Sequence, residues 1–172
     1  RPPASRGRSR AVLVAGVVLL SAAWAALVSV HRGSPAGAEL TLYLLVLIWG
    51  ADSGAYFAGR IFGKRKLAPA LSPGKTVEGA AGAILAAVLL ALFYAWWRQP
   101  GTDVGLFSLL SIVVVVVSIA GDLFESLLKR REGVKDSGTL LPGHGGVLDR
   151  LDSLLAAAPV YYVGLHLFGV VE

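Results

Sequence analysis

Five apolar blocks constrain this chain more than any other feature: residues 11–30, 39–56, 77–97, 104–128 and 153–171. Each approaches the roughly 20 helical residues needed to cross a bilayer. In lipid the backbone has to satisfy its own hydrogen bonds, so such blocks are expected as helices. With 55% hydrophobic residues in a chain of 172, the expected fold class is all-α: a polytopic integral membrane helical bundle with about five transmembrane helices. The first block is long for a signal sequence, and His31, Arg32 and Gly33 follow it where a small-residue cleavage site would stand, so it reads as a retained helix. The chain opens at Arg1 and holds no methionine, so it is expected to be a piece of a longer protein.

The basic residues orient these helices. Arg1, Arg6, Arg8 and Arg10 precede the first block, Arg60, Lys64, Arg65, Lys66 and Lys75 lie between the second and third, and Lys129, Arg130, Arg131, Lys135 and Arg150 lie between the fourth and fifth. Only Arg32 and Arg98 fall on the other side. Positive-inside bias then places the N-terminus and both long loops in the cytoplasm and Glu172 outside. The net charge of +5 follows from the same bias. Nucleic acid is not expected as a partner, because Trp24, Trp49, Trp96 and Trp97 lie within or at the ends of apolar blocks rather than among exposed basic residues. The absence of cysteine excludes disulfides, thiolate metal sites and cysteine nucleophiles.

Between the last two blocks, residues 121–152 set Asp122, Glu125, Asp136, Asp149 and Asp152 among Lys129, Arg130, Lys135, His144 and Arg150. A carboxylate at the centre of a membrane helix costs about 2.5–3.5 kcal/mol even on insertion-derived scales, so such a concentration points to a site. Asp122, Glu125, Ser126 and Lys129 fall at i, i+3, i+4 and i+7, along one helical stripe. An ordinary ion pair at the helix exit accounts for Glu125 and Lys129. Asp122 lies a turn deeper and calls for a cation. Asp149 and Asp152, three apart at the start of the fifth helix, could complement its dipole. With Asp122 they also make an all-oxygen set suited to Mg²⁺. Gly143, His144, Gly145 and Gly146 form a turn whose amides can approach phosphate closely.

The first cytoplasmic loop adds a second group. Asp52, Tyr56, Gly59 and Gly63 would share a helix face, with Gly59 and Gly63 read as a packing motif and Asp52 requiring a bound cation or Arg60 as partner. Ser72, Lys75 and Thr76 can hold phosphate oxygens at the start of the third helix, where amides and dipole favour anions. An ordinary start, with Ser72 as N-cap and Pro73 in the first helical position, is compatible with that role. Glu78 reads as dipole complementation. Gly74, Lys75 and Thr76 resemble the end of a P-loop, but Pro69 stands where that motif needs glycine. A zinc site lacks His and Cys at ligand spacing, and a serine hydrolase lacks its G-x-S-x-G elbow. An ion path through Asp52, Asp122 and Glu125 would belong near the midplane, whereas most of the acids cluster at cytoplasmic helix ends.

Residues 126–152, with 52–64 and 72–79 upstream of them, resemble the motifs of the CTP-dependent phosphatidate cytidylyltransferases. The resemblance covers about three quarters of the chain and divides it into 1–37, a basic segment with the first helix, and 38–172, a catalytic membrane domain lacking the family's upstream helices. It departs at Gly74, a position commonly basic in the family. The resemblance implies that CTP and phosphatidate give CDP-diacylglycerol and pyrophosphate at the cytoplasmic face of a multi-pass protein of the inner (plasma) membrane. Asp122, Asp149 and Asp152 are then expected to hold one or two Mg²⁺ ions, with Lys129 and Arg130 completing the catalytic set. Ser72, Lys75, Thr76, Lys135, Asp136, His144, Gly145, Gly146 and Arg150 are expected to bind substrate. The lipid bilayer is the implied surroundings, and assembly as a homodimer is compatible with it.

Overall fold

The computed structural model describes residues 6–98, 103–134 and 148–171, with backbone alone at 6–12, 132 and 148–150. All five apolar blocks are helices: α1 (Arg6–Arg32), α2 (Gly37–Phe62), α3 (Val77–Arg98), α4 (Val104–Glu132) and α5 (Leu148–Leu167). Four of them, α1 to α4, are long and apolar enough to cross a membrane, and α5 is shorter over its apolar part, Leu151–Leu167. Each helix packs on its neighbour in sequence, and α5 closes the ring against α1. Charge and shape therefore divide the bundle into two ends. The start of α1, the α2–α3 connection and the α4–α5 connection lie at one end, with most of the basic residues.

The helix termini follow local chemistry. Asp103 caps α4, its Oδ1 accepting from the Leu106 amide at 3.0 Å. At the other end Gly133, at φ 74°, closes α4, its amide and that of Val134 reaching back to the carbonyls of Arg130 and Lys129. Lys129, Arg130 and Arg131 fill the last turn, where cations oppose the helix dipole.

Between α2 and α3 the chain forms a small hairpin, β1 (Lys66–Ala68) and β2 (Ser72–Thr76), with Lys66 opposite Thr76 and Ala68 opposite Ser72. This corrects the expected start of the third helix: Ser72 begins a strand and does not cap α3. Thr76 caps it instead, its Oγ1 accepting from the Gly79 amide at 3.0 Å. Upstream residues are drawn into extended pairing because Val77 N–H donates to Arg65 O at 2.9 Å. The Glu78 carboxylate also accepts from the Lys64 and Arg65 amides at 3.1 and 3.2 Å, so this acid ties down the α2–hairpin link as well as sitting in the first turn of α3.

Small residues let the helices close on one another, as is common where lipid removes the hydrophobic drive for association. Leu40, Leu44, Leu47 and Ala51 of α2 are buried, as are Ala83, Ala87 and Ala91 of α3. The tightest crossing is at Gly54 and Gly82: a Cβ on Gly82 would lie 2.4 Å from Ala58 Cβ and 2.7 Å from Gly54 O. Gly59 approaches Gly79 and Thr76, in keeping with packing, whereas Gly63 ends α2 with its amide on Gly59 O at 3.1 Å. A Cβ on Gly121 would come within 2.4 Å of Ala156 Cβ, which brings α4 and α5 together in the same way.

At the end away from the hairpin the interior is aromatic. The Tyr43 ring lies 4.8 Å from Tyr94 and 4.9 Å from Phe107, and its hydroxyl is hydrogen-bonded to Ser111 at 2.8 Å. Tyr161 donates to Leu40 O at 3.2 Å. Beyond them Arg98 and Glu39 form an ion pair at 3.5 Å.

Candidate active site

A cavity of about 480 Å³ opens at the hairpin end, walled by α2, β2 and the first turns of α3, with α4 and α5 contributing Asp122 and Ser153. Because α2 continues helically to Phe62, Asp52, Tyr56 and Arg60 stand four residues apart on the cavity wall. Opposite in sequence but adjacent in space, Lys75 Nζ donates to Asp122 Oδ2. The two groups are about equally shielded, with 27% and 29% of their side chains exposed, and they join two motifs separated by 47 residues. Ser126 Oγ approaches the other oxygen, Asp122 Oδ1, at 3.5 Å.

The surrounding charges form one electrostatic unit. Asp52 is acted on by Asp122, Lys75 and Asp152, which places acids from α2, α4 and α5 within reach of one another. On α5, Asp152 Oδ1 accepts from the Ser153 amide at 2.6 Å, and its carboxylate lies beside Glu125. Glu125 forms the expected i, i+4 pair with Lys129 at 3.4 Å. Only 12% of its side chain is exposed, and neither carboxylate oxygen has a hydrogen bond of ordinary geometry among the described residues. Arg130 Nε donates to Leu71 O at 3.5 Å, linking the turn of the hairpin to α4.

The structure thus brings Lys75, Thr76 and Asp122 to one cavity, with Asp152 close enough to act on Asp52. Ser72, Lys129, Arg130 and Asp152 do not line that cavity. Lys135, Asp136, His144, Gly145 and Gly146 lie outside the described residues, as do the side chains of Asp149 and Arg150. The backbone nevertheless places Asp149 and Asp152 early in α5, which begins at Leu148 rather than at residue 153. Among the described residues Arg60 does not pair with Asp52: its guanidinium donates to the Tyr56 hydroxyl at 2.6 Å, while Lys75, paired with Asp122, lies near enough to act on Asp52. Tyr56 and Arg60 line the cavity although the sequence reading gave them no substrate-binding role. Their spacing with Asp52 carried the signal, but the apolar count ended the helix at Tyr56.

Among the described residues no group of three or more His, Cys, Asp or Glu side chains converges closely enough to enclose a metal ion. Mg²⁺ does not need such a cage, since it commonly takes one or two carboxylates and completes its shell with water and substrate phosphate. Asp122 and Asp152, oxygen donors on adjacent helices, fit that requirement, with Asp52 adding negative charge. The arrangement as a whole suits two anionic reactants: acids for a hard cation, and Lys75 and Arg60 for phosphate oxygens.

A model of the cytidylyltransferase family matches residues 4–168. The phosphatidate cytidylyltransferase of Haemophilus influenzae is 53% identical over 129 residues, which cover 73% of this chain and 45% of that protein. The protein of the same name from Pseudomonas aeruginosa is 50% identical over 147 residues, covering 85% of this chain and 54% of its own length. A solved intramembrane enzyme of archaeal membrane lipid biosynthesis superposes with a TM-score of 0.49 at 22% identity, covering 69% of this chain and 76% of its own. The chain therefore spans about half the length of the curated relatives it matches.

Proposed function

The chain belongs to the cytidylyltransferase family, and we propose that the protein it represents is a CTP:phosphatidate cytidylyltransferase of the bacterial inner membrane, with its site facing the cytoplasm. In the reaction a phosphate oxygen of phosphatidate attacks the α-phosphorus of CTP. A new P–O–P bond forms, the bond from the α-phosphorus to the β-bridging oxygen breaks, and pyrophosphate leaves to give CDP-diacylglycerol. The observation that carries this reading is the meeting of Lys75 with Asp122 in a cavity at the basic end of a membrane bundle. There a soluble nucleotide can reach a lipid headgroup.

No protein nucleophile is needed, because phosphatidate is already ionised at neutral pH. What the chain has to supply is position and charge compensation for two anions, the usual basis of such transfers. Lys75, released from Asp122, would bind phosphate oxygens from the hairpin side, with Ser72 and Thr76 beside it in β2. Lys129, Arg130, Lys135 and Arg150 would hold pyrophosphate or the lipid phosphate. Asp136, His144 and the glycines at 145 and 146 would complete the phosphate cradle. Asp122, Asp149 and Asp152 would hold Mg²⁺, which when bound neutralises phosphate charge and makes the α-phosphorus more electrophilic.

The test is pyrophosphate release by the full-length protein in detergent–phosphatidate micelles with CTP and Mg²⁺. We expect release to require both lipid and Mg²⁺, and Asp122→Asn to lower it by about 10²–10³-fold, the scale on which removing one preorganised polar group acts. Release without phosphatidate, or an Asp122→Asn variant as active as the parent, would overturn the reading.

A further inference from the structure

Among the described residues the cavity has two cations on its walls, and their partners differ. Lys75 is engaged by the Asp122 carboxylate, whereas Arg60 donates to a neutral phenol, Tyr56, and stacks over its ring with the guanidinium carbon 5.9 Å from the centroid. Arg60 has no carboxylate in salt-bridge range among the described residues. A guanidinium held by its neighbour but not neutralised is arranged to receive an anion, and its planar fork suits two phosphate oxygens at once.

The same part of α2 also presents an exposed apolar face. Phe57 and Ile61 follow Tyr56 and Arg60 by one residue each, so a stripe of large apolar side chains runs directly beside the polar one. Phe57 is 61% and Ile61 68% exposed. A polar wall inside a cavity, bordered by an exposed apolar stripe at the end of a membrane helix, matches an amphiphile with an anionic head and acyl tails. A simple interfacial anchor would account for the apolar stripe and for an arginine reaching toward headgroups. It does not account for Arg60 lining the cavity that holds Asp52 and Asp122.

We propose that Arg60, braced by Tyr56, is the docking site for the phosphate-monoester head of the lipid substrate, whose chains lie along Phe57 and Ile61 as it enters sideways from the bilayer. This rests on the cytidylyltransferase reading for the identity of the lipid, but the docking chemistry can be tested by itself. Full-length protein in phosphatidylcholine nanodiscs would be titrated with fluorescent phosphatidate, and separately with CTP and Mg²⁺, for the parent, Arg60→Ala, Arg60→Lys and Tyr56→Phe. For Arg60→Ala we expect phosphatidate affinity to fall about 10- to 100-fold, as for loss of a charged hydrogen-bonding partner. Arg60→Lys should retain part of the affinity, and CTP affinity should be unchanged in all variants, which also reports that they are folded. In turnover assays the KM for phosphatidate should rise while that for CTP stays constant.

Unchanged phosphatidate binding in Arg60→Ala would overturn the proposal. So would a matching loss of CTP affinity, which would assign Arg60 to nucleotide phosphate, or a matching loss for a neutral fluorescent lipid, which would make it an anchor. A parent protein that binds phosphatidate through Arg60 yet releases no pyrophosphate would leave the docking site standing and remove the proposed reaction.

Discussion

Asp103 isolates the contribution of a single side chain, because its bond to the Leu106 amide caps α4 at the end remote from the cavity. Asp103→Ala should lower stability by about 1 kcal/mol, the ordinary cost of losing an N-cap, and leave turnover unchanged. Thermal unfolding in detergent beside the pyrophosphate assay would check both halves. The residues of the site were legible to different degrees for physical reasons. Asp122 stood out because a carboxylate one turn inside an apolar helix has a large desolvation cost and needs a partner. That the partner among the described residues is Lys75 could not be read, since no periodicity links positions 47 apart. Glu125 and Lys129 were legible as a pair because one helix sets their spacing, and they stand 3.4 Å apart. For Asp52 the sequence left a bound cation and Arg60 both open as partners, and Arg60, eight residues on, turns instead to the Tyr56 hydroxyl one turn before it.

At the level of elements, the crossing of α2 and α3 at Gly54 and Gly82 sets where Asp52 and Lys75 can stand. Gly82→Val would force side-chain carbon into Ala58 and the Gly54 carbonyl, and overpacking of this kind costs about 1–3 kcal/mol. We expect reduced thermal stability together with lost turnover, since the two walls of the cavity separate. Gly16 of α1 has nothing within 4 Å of its Cβ position, so Gly16→Ala should leave turnover unchanged and should not lower thermal stability. The five helices were legible because a bilayer-spanning block announces itself by composition and length alone. The hairpin was not. Its strands are three and five residues long, and β2 contains Pro73 and Gly74, with no alternation to read. Its pairing is held by the Glu78 carboxylate and the Arg65 carbonyl, which only the folded chain supplies. For the same reason Ser72 looked like a cap: the local signal was sound, and tertiary bonds moved the helix start to Val77.

For the molecule as a whole, the ring of helices in alternating direction collects the basic residues and the cavity at one end. These 172 residues hold no cysteine, so cysteines placed singly among them, with any elsewhere in the full-length protein replaced by serine, give a readout of orientation. In inside-out vesicles Lys66→Cys should react with a membrane-impermeant maleimide and Arg32→Cys should not, with the reverse in right-side-out cells. Equal labelling of both would refute the orientation. The gathering of basic residues at one end was legible, because charge bias is a property of the whole topology and not of any one contact. The aromatic cluster at the far end carries a consequence of its own. Between the cavity and the opposite surface the interior is filled by Leu44, Leu47, Val114 and Val115, all 0% exposed, and then by Tyr43, Tyr94, Phe107 and Tyr161. Among the described residues, these side chains fill the bundle at the end away from the cavity. In a membrane that stores energy as voltage, a plug of this kind would keep the hollow from short-circuiting it.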